Sequence, residues 1–145
     1  TLPLTLFPYT TLFRSLDQEL RDALATIPPQ RRLLVTCEGA FSYLAQDYGF
    51  EEAYLWPVNA ESQVTPKRMA RLIATVRERD IPTIYCESTV SDKAQREVAA
   101  AAGARFGGSF YVDSLSEADG PAASLLDLQR HNVALIRRGL LEVQR

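Results

Sequence analysis

Short apolar runs alternate with longer helical patterns along this chain, and this alternation limits the folds it can adopt. Four runs resemble strands, and helical spacing of apolar residues precedes the first and follows each of them. Helices that connect successive parallel strands cover both faces of a sheet. The order therefore predicts an α/β fold with a four-stranded parallel sheet and helices on both faces. The predicted strands are Leu33–Thr36, Tyr54–Trp56 with Val58, Thr83–Cys86 and Ser109–Val112.

Capping and turn residues mark the ends of the helices. A first helix carries Leu16 to Ile27 and ends at Pro28-Pro29, because proline cannot continue a helix. The next, from Ala40, closes at Gly49, and the third begins at Thr65-Pro66. A fourth runs from a cap at Ser91 to Gly103, and the last is predicted to open at Gly120-Pro121.

The first residues have an unusual sequence. Thr5–Ser15 reads TLFPYTTLFRS, which resembles the translation of a common sequencing-library adapter. Prolines interrupt its apolar character and it lacks a basic start, so it does not resemble a signal peptide. We interpret residues 1–15 as artefactual and expect them to pack poorly. Residues 16–30 then form a linking helix and 31–145 a single lobe.

Charge and hydropathy exclude two classes of function. The net charge is −2 with both signs interspersed, which does not indicate a nucleic-acid partner. No run reaches the roughly 18–20 apolar residues that a membrane helix needs. The chain is therefore expected to form one α/β lobe with its own core, and to be neither a nucleic-acid-binding nor a membrane-spanning protein.

Three acidic residues follow predicted strand ends: Glu38, Glu87 and Asp113. Ligands of open α/β sheets gather outside the carboxyl ends of the strands, and carboxylates are hard ligands for divalent cations. The pattern alone leaves a second interpretation open, because an acid at a strand-to-helix junction is more often a helix cap or a solvated loop residue. Glu87 with Ser88 has the sequence of a capping loop.

The residues typical of catalysis give weaker patterns. His131, the only histidine, is predicted to lie on a solvated helix face, so no histidine-based triad is indicated. Cys37 and Cys86 each precede an edge glutamate. We expect two buried free thiols rather than a disulfide, because disulfide geometry is demanding and adjacent parallel strands rarely satisfy it.

Several motifs together resemble one family. They are Thr36–Leu44, Leu55–Gln63 with Thr65-Pro66, Glu87–Lys93, Gly103–Gly108 and Tyr111–Ser116. In this order they are similar to the carboxy-terminal lobe of the solute-binding proteins of manganese, iron and zinc ABC transporters, over about Leu33 to Leu140. The resemblance implies one lobe of a two-lobed protein with the metal between the lobes.

The resemblance also implies a ligand set. Glu38 matches the third ligand and Asp113 the fourth, while two histidines belong to an amino-terminal lobe. Glu87 and Ser88 are expected to support the ligands. Zinc-type members carry histidine at the position of Glu38, so the glutamate favours Mn(II) or Fe(II), although Zn(II) could also bind.

The expected function is extracytoplasmic capture of Mn(II) or Fe(II) and delivery to an ABC permease, without bond chemistry. The location would be periplasmic or anchored at the cell surface. A zinc-specific protein of the same family is one alternative. A free-standing flavodoxin-like enzyme domain that uses Cys86 or the acidic edge is the other.

Overall fold

The computed structural model of the protein describes residues 6–141, with side-chain surroundings from residue 10 onward. Helices and strands alternate in the predicted order. Within this range, no helix is both long and apolar enough to cross a membrane. The helices are α1 (Leu6–Ala25), α2 (Ser42–Tyr48), α3 (Pro66–Glu78), α4 (Lys93–Ala102) and α5 (Leu125–Leu141). The strands are β1 (Leu33–Glu38), β2 (Glu51–Trp56), β3 (Thr83–Glu87) and β4 (Arg105–Phe110), with short 3-10 turns at Pro29–Arg31 and Glu61–Gln63.

The strands lie side by side in the order β2–β1–β3–β4. β1 pairs with β2 and β3 with β4, and both pairs are parallel. The predicted α/β class with parallel strands is confirmed, but the strands hydrogen-bond as two pairs rather than as one continuous ladder. β1 and β3 are instead joined through side chains, described below.

Both central strands are buried along their whole length. A strand buried on both faces needs cover on both sides. That cover comes from two groups of helices, since α3 packs with α4 and α1 packs with α5, while β3 contacts both α4 and α5. The core is therefore a three-layer arrangement, as the alternating sequence predicts.

Local signals place several boundaries correctly. The Thr65 hydroxyl accepts a hydrogen bond from the Arg68 N–H at 3.2 Å, directly before Pro66. Gly49 and Gly103 follow α2 and α4 with φ of 72° and 74°, a left-handed conformation that glycine adopts without strain.

The fourth strand lies earlier than predicted, at Arg105–Phe110 instead of Ser109–Val112. Its two glycines resemble a turn in sequence, yet they belong to the strand. A Cβ on Gly107 would collide with the Thr83 and Tyr85 side chains of β3, so glycine permits this close approach.

The last helix begins at Leu125, not at Gly120-Pro121. Before it, the Ser116 N–H donates to the Ala122 carbonyl and the Ala122 N–H to the Ser116 hydroxyl, which forms a compact loop. Ser124 then caps the helix, because its hydroxyl accepts from the Asp127 N–H at 3.1 Å and donates to the Asp127 carboxylate. The start of α5 is therefore set by the Ser124 cap and not by Pro121.

The first helix extends further back than Leu16 and begins at Leu6. Its buried face starts with Leu16, Leu20 and Leu24, while residues 10–15 are all exposed. The poor packing predicted for residues 1–15 is thus seen for 10–15, while the side chains of residues 1–9 lie outside the described range. The buried part of α1 acts as a nucleus from which the helix extends into the exposed turns, since each added residue gains a backbone hydrogen bond at little cost.

Candidate metal-binding site

The carboxyl ends of the strands meet at one edge. In the parallel registers Glu38 is opposite Trp56, and Glu87 is opposite Phe110. The Glu38 N–H also points at the Glu87 carboxylate, so β1 and β3 end side by side. Asp113 follows Phe110 after the short segment Tyr111-Val112. This is the edge at which ligands of open α/β sheets bind.

Glu38 ends β1 with its side chain almost buried, at 7% exposure. Its carboxylate accepts a hydrogen bond from the Asn59 N–H in the loop after β2. Asn59 has φ of 58°, a conformation asparagine tolerates better than most residues. The carboxylate is therefore held in place before any cation binds. One of its oxygens is engaged by the loop.

Glu87 is more deeply buried, at 2% exposure. Its two oxygens accept from the Glu38 N–H at 3.3 and 3.2 Å. Burial raises the pKa of Glu87 to about 7, and the nearby Glu38 charge adds to this rise, while hydrogen bonds from backbone N–H groups oppose it. Glu87 thus fixes the backbone of Glu38.

Ser88 contributes through its backbone. Its N–H donates to the Phe110 carbonyl at 2.8 Å, which continues the β3–β4 pairing by one residue. The side chain is exposed. Supporting the ends of β3 and β4 is the role that this geometry offers.

Asp113 is exposed in the loop after β4. Among residues 10–141, none is described as hydrogen-bonded or ion-paired to its carboxylate. The backbone before it is fixed, because Asn132 of α5 bonds both polar groups of Tyr111. An exposed carboxylate on a fixed backbone remains available to a cation.

The prediction of free thiols is wrong, because Cys37 and Cys86 form a disulfide. The two cysteines occupy equivalent positions on β1 and β3, and their Cα atoms lie 4.8 Å apart, the spacing of neighbouring strands. Equivalent placement before an edge glutamate was the sequence signal for this bond. The sulfurs and the Glu87 carboxylate lie within 4.8 Å of one another, but the sulfurs are bonded to each other and are not thiolate ligands.

His131 is not on a solvated face as predicted. Its Nε2 lies 3.1 Å from the Ser109 carbonyl, and its ring packs edge-on against Tyr111 with centroids 5.4 Å apart. The sequence does not indicate these contacts, because they depend on how α5 packs against β4. His131 thus contacts the end of β4 rather than solvent alone.

Comparison with known proteins decides the family. The family model described as "ZnuA: Zinc-uptake complex component A periplasmic" matches residues 8–139. The chain belongs to this ZnuA family. The match begins at residue 8, inside Thr5–Ser15, so residues 8–15 fall within it.

Individual members of the ZnuA family are similar in sequence and fold. The iron-binding protein YfeA of Yersinia pestis is 47% identical over 131 residues, which are 90% of this chain and 42% of the relative. The manganese ABC transporter substrate-binding lipoprotein PsaA of Streptococcus pneumoniae TIGR4 is 31% identical over 132 residues, or 91% and 43%.

Two solved structures of metal-binding proteins are similar to this chain in fold. A manganese-bound periplasmic metal-binding protein from Candidatus Liberibacter asiaticus has a TM-score of 0.84 at 39% identity, with 92% of this chain and 49% of that chain covered. The periplasmic zinc-binding protein TroA of Treponema pallidum has a TM-score of 0.86 at 27% identity, covering 93% and 50%. This chain therefore spans about half the length of the relatives it matches.

Proposed function

We propose that this chain is the carboxy-terminal lobe of an extracytoplasmic protein that captures Mn(II) or Fe(II) and delivers it to an ABC permease. Its place would be the periplasm or the outer surface of the membrane, and its work would involve no bond chemistry. The observation that carries the proposal is Glu38, a nearly buried carboxylate held at the ligand-binding edge of a ZnuA-family fold. Asp113, which enters this edge from the loop after β4, is its proposed partner.

Exposed apolar residues at the same edge support a two-lobed protein. Tyr43, Val58 and Leu115 follow the ends of β1, β2 and β4 and are 85%, 54% and 49% exposed. Exposed apolar side chains beside a ligand-binding edge are compatible with a surface that another part of the protein covers. A second lobe above the strand ends would bury them and complete the metal site.

The chemistry of the ligands favours a hard cation. Glu38 and Asp113 would supply carboxylate oxygens as ligands. Such ligands suit Mn(II) and Fe(II) better than a ligand set made mostly of histidine nitrogens. Similar proteins are named as binding iron, manganese or zinc. Capture of zinc is therefore the second candidate function. The alternative, a flavodoxin-like enzyme domain, is not supported at Cys86, because the Cys86 sulfur is bonded to Cys37 and is not a free nucleophile.

Calorimetry on two proteins tests the proposal: the 145-residue chain and a complete protein in which an amino-terminal lobe precedes it. We expect tight Mn(II) binding by the complete protein and weak binding by the single lobe, because water must replace the missing ligands. Equal, tight binding by both would contradict the proposal of a site shared between lobes. Titrations with Fe(II) and Zn(II) under the same conditions rank the metals.

A further inference from the structure

Asn132 is a buried polar residue in the middle of an otherwise apolar helix face. It is 2% exposed, and its neighbours in α5 include the buried residues Val133, Leu135 and Ile136. A buried amide destabilises a protein unless its donor and acceptor find partners. The partners that Asn132 has found indicate its role.

Both polar ends of the Asn132 amide bond the same residue. The Tyr111 N–H donates to Oδ1 at 3.0 Å, and Nδ2 donates to the Tyr111 carbonyl at 2.7 Å. Tyr111 is the first residue after β4. The amide therefore takes the place of a neighbouring strand and holds the backbone in a defined direction where the regular pairing has ended.

These two hydrogen bonds form the Asn132–Tyr111 clamp, and Asp113 lies two residues beyond it in the chain. On one side, the Ser88 N–H holds Phe110, and on the other the Ser116 N–H holds the loop to Ala122. His131 adds a contact of its ring with Tyr111. The Asp113 side chain itself has no described hydrogen bond from residues 10–141, so its position depends on the backbone that leads to it.

We propose that Asn132 is a positioning residue that places Asp113 for metal capture through the backbone of Tyr111. The inference rests on the proposed function, since it assumes that Asp113 is a ligand. Residues that orient the ligands of a metal change its affinity when they are replaced, typically by about 10- to 100-fold. A residue with a purely structural role would change stability alone.

Gln95 provides a matched control. It is also a buried amide, at 0% exposure, and its Nε2 donates to a strand carbonyl, that of Tyr85, at 2.8 Å. Tyr85 lies within β3 rather than at the exit toward a proposed ligand. Asn132→Leu thus removes two hydrogen bonds at the exit of β4, whereas Gln95→Leu removes one hydrogen bond within β3 and an Oε1 that has no partner among the described residues.

The experiment measures Mn(II) affinity by calorimetry and thermal unfolding in the complete protein for wild type, Asn132→Leu, Gln95→Leu and Asp113→Ala. We expect Asn132→Leu to unfold at lower temperature, because it removes both hydrogen bonds that hold Tyr111. Gln95→Leu should change the unfolding temperature less, because it removes one hydrogen bond together with a buried oxygen that has no described partner. Only Asn132→Leu should weaken Mn(II) binding by about tenfold or more. If either leucine variant does not fold, Asn132→Ala and Gln95→Ala provide the same comparison.

The outcomes separate the two proposals. Equal Mn(II) affinity in the Asn132 and Gln95 variants, with Asp113→Ala strongly impaired, would overturn the positioning role and leave the metal site standing. Undiminished binding by Asp113→Ala would overturn the proposed function itself.

Discussion

The two proposed metal ligands are held in opposite ways. Glu38 is 7% exposed, and its carboxylate is bonded to the loop after β2. Asp113 is exposed, and within residues 10–141 its carboxylate has no described hydrogen-bonding partner. Glu38 closes a strand buried along its whole length, whereas Asp113 lies in a loop beyond the end of β4.

This difference separates a preformed half-site from an adaptable one. The Glu38 side is fixed by a disulfide, a buried carboxylate and a backbone hydrogen bond. On the Asp113 side the backbone is held at Tyr111 and again at Ser116, while the Asp113 carboxylate has no described partner among residues 10–141. A cation that bridges them would meet one ligand already in place and would order the other, at a cost in side-chain entropy.

The largest effect is expected from the disulfide, which belongs to the fixed side. Cys37 and Cys86 are 49 residues apart, and closing a loop of that length is worth about 4 kcal/mol in the chain-entropy estimate. Reduction should lower the free energy of unfolding by roughly this amount. Urea unfolding with and without a dithiol reductant measures the change.

The Cys37→Ala/Cys86→Ala double variant is the control for the disulfide experiment. It has no bond to lose, so reductant should leave its unfolding curve unchanged. An equal response of variant and wild type to reductant would mean that the bond contributes nothing.

Replacing either proposed ligand should have the next largest effect. In the complete protein, Glu38→Ala and Asp113→Ala should each weaken Mn(II) binding by more than about 100-fold, or roughly 3 kcal/mol, beyond the range of supporting residues. Asp119→Ala, which removes an exposed acid from the same loop as Asp113, should leave the affinity near that of wild type.

Thermal unfolding sharpens the comparison of the two ligand variants. Without metal, Glu38→Ala should destabilise the protein because it frees the Asn59 N–H, while Asp113→Ala should not. Equal stability losses in both variants would contradict the division into fixed and adaptable sides.

Glu87 makes the fixed side sensitive to pH. Its pKa in the folded protein, about 7, lies above the ordinary value of 4.5, so the folded state holds the proton more tightly. The resulting stabilisation is present below about pH 4.5 and is lost as the pH rises through about 7. Its upper limit is about 3 kcal/mol.

The Glu87→Gln variant tests this dependence in metal-free protein. Between pH 5 and 8, wild type should lose stability relative to the variant, as measured by urea unfolding at each pH. Glu97→Gln, at an exposed position of α4, should follow wild type. Parallel curves for wild type and Glu87→Gln would show that Glu87 does not titrate in this range.

The smallest effect is expected from the amino-terminal segment. Residues 10–15 are exposed, and the buried face of α1 starts at Leu16. A chain that starts at Ser15 should differ from the 145-residue chain by less than about 1 kcal/mol in unfolding free energy. A larger loss would mean that the segment belongs to the folded unit, whatever its origin.

The sequence predicted the elements whose signals are local. Thr65-Pro66 and Gly49 fixed helix ends because capping depends on neighbouring residues. β4 was placed too late because the reason for Gly107 is a close contact with Tyr85, a residue distant in sequence. Long-range packing of this kind leaves no periodic pattern.

In the candidate site, too, residues with local sequence signals could be predicted, and contacts that depend on long-range packing could not. Glu38 and Asp113 could be proposed from their places after strands, and a resemblance of motifs supplied their roles. The rarity of disulfides between parallel neighbours argues for free thiols, although the equivalent positions of Cys37 and Cys86 permit the bond that the structure contains. The Asn132–Tyr111 clamp could not be predicted, because it depends on how α5 packs against the end of β4.

Trp56 gives the edge of the sheet a spectroscopic consequence. It is the only tryptophan in the sequence, it is 1% exposed, and it lies opposite Glu38 in the strand register. Its backbone carbonyl accepts from the Gly39 N–H, and its indole Nε1 has no partner among the described residues. Selective excitation of tryptophan therefore reports on a single indole, which lies in the strand paired with that of Glu38. We expect its emission to change when a cation reaches Glu38, so that arrival of the metal can be followed in solution without any attached dye.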